Sequence, residues 1–234
     1  MDSLGDRMKK YEAVSQTHLT RRMPLIIRID GKAFHTFTKR LKRPWDDTLI
    51  NCMNYTAIQL CMNIPGAKLA YVQSDEISIL VTDYDKLNTE PWFGKNLQKI
   101  TSVSASIATA HFNRLASSYE LNPQLAMFDS RAFTVPKEEV VNYFVWRQQD
   151  ASRNSVQMLG QAHFSHKELQ GKNNSQIQDM LMLKKGFNWN DLKTGYKRGW
   201  CIIQDSEGQW VKDEEIPIFT QARWYIKGID GVIE

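Results

Sequence analysis

Leu69-Ala-Tyr-Val-Gln-Ser-Asp-Glu-Ile-Ser-Ile-Leu-Val-Thr-Asp83 decides how the rest of the chain is read. Two apolar runs, Leu69–Val72 and Ile77–Val81, flank a polar tip of Gln73, Ser74, Asp75 and Glu76. In the second run Ile77, Ile79 and Val81 alternate with Ser78 and Thr82, the period of a half-buried strand, and Leu80 is the exception. The stretch predicts a hairpin with two adjacent carboxylates at its tip. An earlier run, Leu25-Ile26-Ile27-Arg28-Ile29-Asp30, predicts a strand that also ends in a carboxylate and is followed by Gly31. Neighbouring strands lie about 5 Å apart, so carboxylates at two strand ends can converge on one hard cation. Burying a carboxylate beside apolar residues is costly unless it is paired or metal-bound. Asp30, Asp75 and Glu76 are therefore expected to build a divalent-metal site.

Outward from the hairpin, the pattern predicts a helix over residues 3–19, carried by Leu4, Met8, Tyr11 and Val14. Pro24 opens the first strand, and Gly31-Lys32-Ala33-Phe34-His35 reads as a tight loop whose successive amides can face an anion. Pro44-Trp45-Asp46-Asp47 starts a helix that runs to about Asn63, with Pro65-Gly66 as its stop. Residues 83–95 read as a loop and 97–118 as a helix, on whose apolar stripe His111 is expected to be a satisfied core histidine. Ala126–Val135 predicts a strand, and Pro136 starts a helix that reaches Trp146-Arg-Gln-Gln-Asp150 and beyond. The order β-α-β-β-α-β is the split βαβ, ferredoxin-like pattern of an α+β fold. Residues 1–160 are expected to form that core. Residues 161–234 are expected to pack on it as an extension, with helices near 165–170 and 174–185 and a hairpin from Gly199–Gln204 to Gln209–Lys212. His163-Phe-Ser-His166 has ligand-like spacing, but no Cys or second histidine pair supports zinc there.

The chain has 234 residues, 42% of them hydrophobic, enough for a proper core, and a formal net charge of +4. The charge is clustered: residues 21–43 hold eight Lys/Arg, Arg28 and Arg43 among them, against the single Asp30. Lys184, Lys185, Lys193, Lys197 and Arg198 are opposed only by Asp191. Two basic segments around a metal site point to phosphates as partners. Three cysteines with no Cys-x-x-Cys suit a reducing compartment. The start has no apolar signal core and no run reaches membrane-spanning length, so a cytoplasmic protein without membrane association is expected.

No P-loop, no Gly-x-Gly-x-x-Gly and no nucleophile elbow is present, which removes those chemistries. Strand-end carboxylates on a split βαβ core suit two-metal, in-line phosphoryl transfer. The residues also carry a resemblance. Arg28-Ile-Asp-Gly-Lys-Ala-Phe-His-Thr-Phe37, Arg43-Pro-Trp-Asp46, Tyr71-Val-Gln-Ser-Asp-Glu76, Phe128-Asp-Ser-Arg131 and Trp146-Arg-Gln-Gln-Asp150 occur in order. In these the chain resembles the tRNA-histidine guanylyltransferase family, from about residue 4 to 204.

The resemblance implies a polymerase-like palm that adds nucleotides in the 3′-to-5′ direction to the 5′ end of tRNA, at the acceptor stem. It implies that Asp30 and Asp75 hold two Mg²⁺ ions, helped by the Gly31 carbonyl, with Glu76 supporting them. Amides of Lys32, Ala33, Phe34 and His35 would cradle the triphosphate of ATP or GTP. Ser74, Arg131, Asp150 and Lys197 match positions near nucleotide or RNA phosphate, and a homotetramer is implied. Members that add guanosine to histidine tRNA carry His-Ile-Asn-Asn where this chain has Ser152-Arg153-Asn154-Ser155. The chain therefore resembles the guanylyltransferase-like branch, whose implied role is template-directed repair of truncated tRNA 5′ ends. The alternatives are histidine-tRNA guanylylation, a two-metal nucleotide cyclase, and a non-catalytic RNA-binding protein using only the basic segments.

Overall fold

The structure, a computed structural model, describes residues 2–229. Six strands make one sheet: β1 (Leu25–Gly31), β2 (Ala67–Gln73), β3 (Glu76–Val81), β4 (Phe128–Thr134), β5 (Trp200–Gln204) and β6 (Trp210–Asp213). Their order is β4-β1-β3-β2-β5-β6 and every neighbouring pair is antiparallel. The helices are α1 (Leu4–Val14), α2 (Phe34–Phe37), α3 (Asp47–Asn63), α4 (Leu97–Ser118), α5 (Val140–His163), α6 (His166–Leu169), α7 (Asn174–Lys185), α8 (Thr194–Arg198) and α9 (Trp224–Lys227). The first four strands, with α3 and α4 as crossovers, are the expected split βαβ palm. The expected C-terminal hairpin is β5–β6, and β5 pairs with β2, so it continues the sheet.

Both faces of the sheet are covered. Ile27, Ile29, Ala70, Val72, Ile77 and Ile79 face α3 and α4 through Met53, Ala57, Leu60, Ile100 and Phe112. On the other face Ile26, Leu69, Tyr71 and Leu80 meet Val140, Val141 and Phe144 of α5, and Ile216, Phe219 and Ile226 from the C-terminal segment. Leu80 therefore breaks the alternation of its strand for a physical reason: β3 is central and buried throughout. The second half of α5 packs on α7 through Val156, Leu159, Ile177 and Leu181. Residues 230–234 of the expected extension lie outside the described residues.

Three expectations need correction. The first helix stops at Val14, not 19; none of its residues is buried, so packing gives it no reason to extend. The chain then runs as an irregular segment held by a bridge between His18 and Asn96. The 83–95 loop ends in a 3-10 turn, Trp92–Lys95, where Phe93, Gly94 and Lys95 all have positive φ. Buried Lys95 holds that turn by donating to the Thr20 and Met23 carbonyls at 2.8 and 2.7 Å and pairing with Asp83 at 3.2 Å. His111 is half-buried against Tyr55, but its Nδ1 makes no hydrogen bond, so it is not satisfied.

Candidate active site

Strand register builds the site. Asp30, at the end of β1, stands opposite Glu76 on β3 and Asp129 on β4. Gln73 pairs with Glu76, so the hairpin tip is only Ser74 and Asp75, and Ser74 turns it with φ 49°. The Gly31 amide donates to the Asp75 carbonyl at 3.1 Å, tying the tip to the end of β1. Asp30 and Asp75 are thus drawn together, as their sequence positions predict. Burial, then the negative charge of Glu76, raises the Asp30 pKa, and Arg28 only partly opposes this. Asp75 is pushed up to about 6, chiefly by burial and further by Asp30 and Glu76, against hydrogen bonds from the backbone and Ser74. Two such carboxylates and the Gly31 carbonyl are hard oxygen donors that a divalent cation takes alongside phosphates. Among the described residues no group of three His, Cys, Asp or Glu side chains is arranged to hold a metal.

Glu76 differs from the two aspartates. Arg147 of α5 grips it with two bonds, Nε to Oε1 at 2.8 Å and a terminal nitrogen to Oε2 at 2.7 Å. The Arg28 Nε lies 3.1 Å from Oε2. Asp150 is likewise engaged, by Arg147 at 3.0 Å and Arg153 at 2.8 Å.

After β1 the loop folds tightly. A Cβ on Gly31 would lie 2.2 Å from the Phe34 ring, so only glycine lets Phe34 turn back against Phe37, Phe112 and Phe128. Of the four amides expected to form the cradle, that of Lys32 donates to the Met127 carbonyl at 2.8 Å; Ala33 and His35 are exposed, and the Phe34 side chain is core.

Beside the hairpin tip is a cavity of about 350 Å³. Its walls include His35, Arg43, Ser74, Asn154, Ser155 and the aromatic trio Trp45, Tyr196 and Trp200. Trp45 and Tyr196 stack at 5.0 Å, and the Tyr196 hydroxyl is anchored on Asp47. The Trp189 indole donates to Ser155 at 2.9 Å. A small apolar cavity with aromatic walls and a few polar groups suits a nucleobase.

Arg131 is exposed on the edge strand β4, 3.8 Å from Asp129, and its charge opposes the rise in the Asp30 pKa. Lys197 and Arg198 do not line the cavity; the Lys197 ammonium donates to the Asn190 carbonyl at 2.6 Å, and burial lowers its pKa. Sequence reasoning missed Arg147 and the aromatic trio. The helical spacing of Arg147, Ala151, Asn154 and Met158 was the available signal that one face of α5 turns to the site.

A palm sheet whose strand-end carboxylates adjoin a nucleobase-sized cavity places the protein among the nucleotidyltransferases. Comparison with known proteins narrows the class: residues 5–136 match the tRNAHis guanylyltransferase (Thg1) model, and the chain belongs to that family. A probable tRNA(His) guanylyltransferase of Dictyostelium discoideum is 28% identical, with 96% of this chain and 93% of that protein covered. The tRNA(His) guanylyltransferase of Candida glabrata is 30% identical, with 85% and 91% covered. A solved bacterial tRNA(His) guanylyltransferase (Thg1)-like protein in complex with ATP is 53% identical, covers 97% of this chain and 99% of its own, and superposes with a TM-score of 0.94. Among the described residues no helix is long and apolar enough to cross a membrane.

Proposed function

We propose that this protein is a template-directed nucleotidyltransferase that rebuilds truncated tRNA 5′ ends in the 3′-to-5′ direction. The observation that carries the reading is the cavity wall. Where guanosine-adding members carry His-Ile-Asn-Asn, α5 has Ser152-Arg153-Asn154-Ser155, and Asn154 and Ser155 line the cavity beside the hairpin tip. The 53% identity to a bacterial Thg1-like protein solved with ATP supports the same branch.

In this reading the base of ATP or GTP stacks on Trp45 and Tyr196, and its phosphates lie toward Ser74, His35 and Arg43. Asp30, Asp75 and the Gly31 carbonyl would hold Mg²⁺; their crowded carboxylates, both with raised pKa, fit a cation. Bound there, two Mg²⁺ would neutralise charge on the leaving phosphates and lower the pKa of an attacking hydroxyl. An oxygen of the RNA 5′-monophosphate attacks the α-phosphorus of the triphosphate, and pyrophosphate leaves. The 3′-hydroxyl of an incoming nucleoside triphosphate then attacks the activated 5′ phosphorus, and the nucleoside monophosphate leaves. Arg28 and Arg131, on neighbouring strands in register, would add positive charge near those phosphates.

Watson–Crick pairing with the opposing 3′ strand would align the incoming hydroxyl, and such alignment is worth up to about 7–11 kcal/mol of barrier. The test offers a 5′-truncated, labelled tRNA with each nucleotide and Mg²⁺. Changing the opposing base from C to A should switch the preferred nucleotide from GTP to UTP, and addition should stop when the stem is full. The second reading, favoured by the names of the Dictyostelium and Candida relatives, is histidine-tRNA guanylylation. Guanosine added to full-length histidine tRNA whatever base lies opposite would establish that reading instead.

A further inference from the structure

Arg147 is buried, yet it carries the central charge of the layer behind the carboxylates. Its guanidinium binds both oxygens of Glu76, bonds Asp150 with the same terminal nitrogen, and lies 4.4 Å over the Trp146 ring. Arg28 reaches Glu76 from the sheet side, and Gln73 and Ser78 are each 3.3 Å from Oε1. Glu76 directly faces Asp30 in the strand register and follows Asp75 in sequence. Without its arginines, it is a side chain beside Asp30 able to become a third carboxylate ligand, and its charge acts on Asp30 more strongly than that of Asp129. A third carboxylate would occupy positions that Mg²⁺ normally leaves to water and substrate phosphates.

We propose that Arg147 is a positioning residue that sequesters Glu76, so that the cation site keeps two carboxylates and leaves its remaining positions to nucleotide phosphate. The inference rests on the reading of Asp30 and Asp75 as cation ligands. Its geometry also links the two halves of the site, because Ala151 and Asn154 of the same helix line the cavity. Arg147 acts here through Glu76 rather than on substrate: its Nε and one terminal nitrogen bond Glu76 and Asp150, and its planar face lies over Trp146.

The test compares wild type with Arg147→Met, Arg147→Lys, Glu76→Gln and the Glu76→Gln, Arg147→Met double variant. Manganese binding without nucleotide is followed by electron paramagnetic resonance, and nucleotide addition is measured on truncated tRNA. With Glu76 released as a third ligand, Arg147→Met should bind Mn²⁺ alone about 10-fold tighter, since ligand charge count sets divalent affinity. It should also lose about 10- to 100-fold in addition, the scale of removing a residue that supports a metal site from behind its ligands. Arg147→Lys, which keeps the charge but not the two-pronged grip, should fall between them. The double variant should match Glu76→Gln in both measurements, because an uncharged residue 76 leaves nothing to sequester. If Arg147→Met does not fold, the comparison of the double variant with Glu76→Gln still decides. A double variant about 10-fold or more below Glu76→Gln in addition would overturn the proposal, since additive losses mean Arg147 acts on something other than Glu76. Wild-type Mn²⁺ affinity in a folded Arg147→Met would also overturn it. Asp30→Ala with unchanged Mn²⁺ binding would instead show that the cation assignment had failed.

Discussion

Replacing Asp75 with Asn should make the metal-free protein more stable while abolishing nucleotide addition. Burial, then Asp30 and Glu76, push the Asp75 pKa from 3.8 to about 6. A carboxylate whose folded pKa is raised is held more tightly as the neutral acid in the folded state. Its favourable contribution is therefore complete below the unfolded value and is lost as pH rises through the folded one. A shift of about two units corresponds to about 3 kcal/mol of destabilisation once Asp75 is fully ionised. For a chain of this length that is about 6–12 °C in Tm. In EDTA at pH 7.5, Asp75→Asn should thus melt several degrees above wild type, with the difference shrinking toward pH 4 as the wild-type acid protonates. Added Mg²⁺ should raise the wild-type Tm and leave the variant unmoved, closing the gap. Urea titrations at pH 4, 6 and 7.5 with and without Mg²⁺ measure every leg. A variant no more stable than wild type at pH 7.5 in EDTA would refute the electrostatic reasoning. Near-normal addition by the variant at saturating Mg²⁺ would refute the assignment of Asp75 to the cation.

Gly31→Ala places a Cβ 2.2 Å from the Phe34 ring and should destabilise the fold by about 1–3 kcal/mol, read as a lower urea midpoint. Trp45→Ala removes one partner of the cavity stack and should raise the KM for the activating nucleoside triphosphate about 10- to 100-fold, with kcat nearly kept. Unchanged KM would put the base elsewhere. Lys95→Met leaves Asp83 buried without its cation and should cost about 3–5 kcal/mol in urea denaturation, most of it recovered by adding Asp83→Asn. Lys95 meets the chain just before β1 starts whereas Asp30 ends that strand, so its folded fraction should retain nucleotide addition.

The palm was legible because its elements are coded locally. Ile77, Ile79 and Val81 alternate, Pro65-Gly66 stops α3, and Asp46 caps it by accepting from the Thr48 and Leu49 amides, all within a few residues. Asp30 and Asp75 were legible as a pair for the same reason: each closes an apolar run, and strands that share a core must neighbour one another. The end of α1 was not legible, because Leu4, Met8, Tyr11 and Val14 have helical spacing whether or not anything covers them. Lys32 could be read as a phosphate donor until the register showed its amide spent on Met127, nearly a hundred residues away in sequence.

By itself, then, the sequence determined the order of strands and helices and the carboxylates at the strand ends, since periodicity, turns and caps act between near neighbours. Tertiary structure alone decided that Arg147 holds Glu76, 71 positions away. It also decided that Trp45 stacks on Tyr196 to wall a cavity, and that Lys197 turns to Asn190. Those contacts depend on how α5 and α8 come to rest on the finished sheet, and no local pattern records where a long side chain finds its partner once distant segments meet.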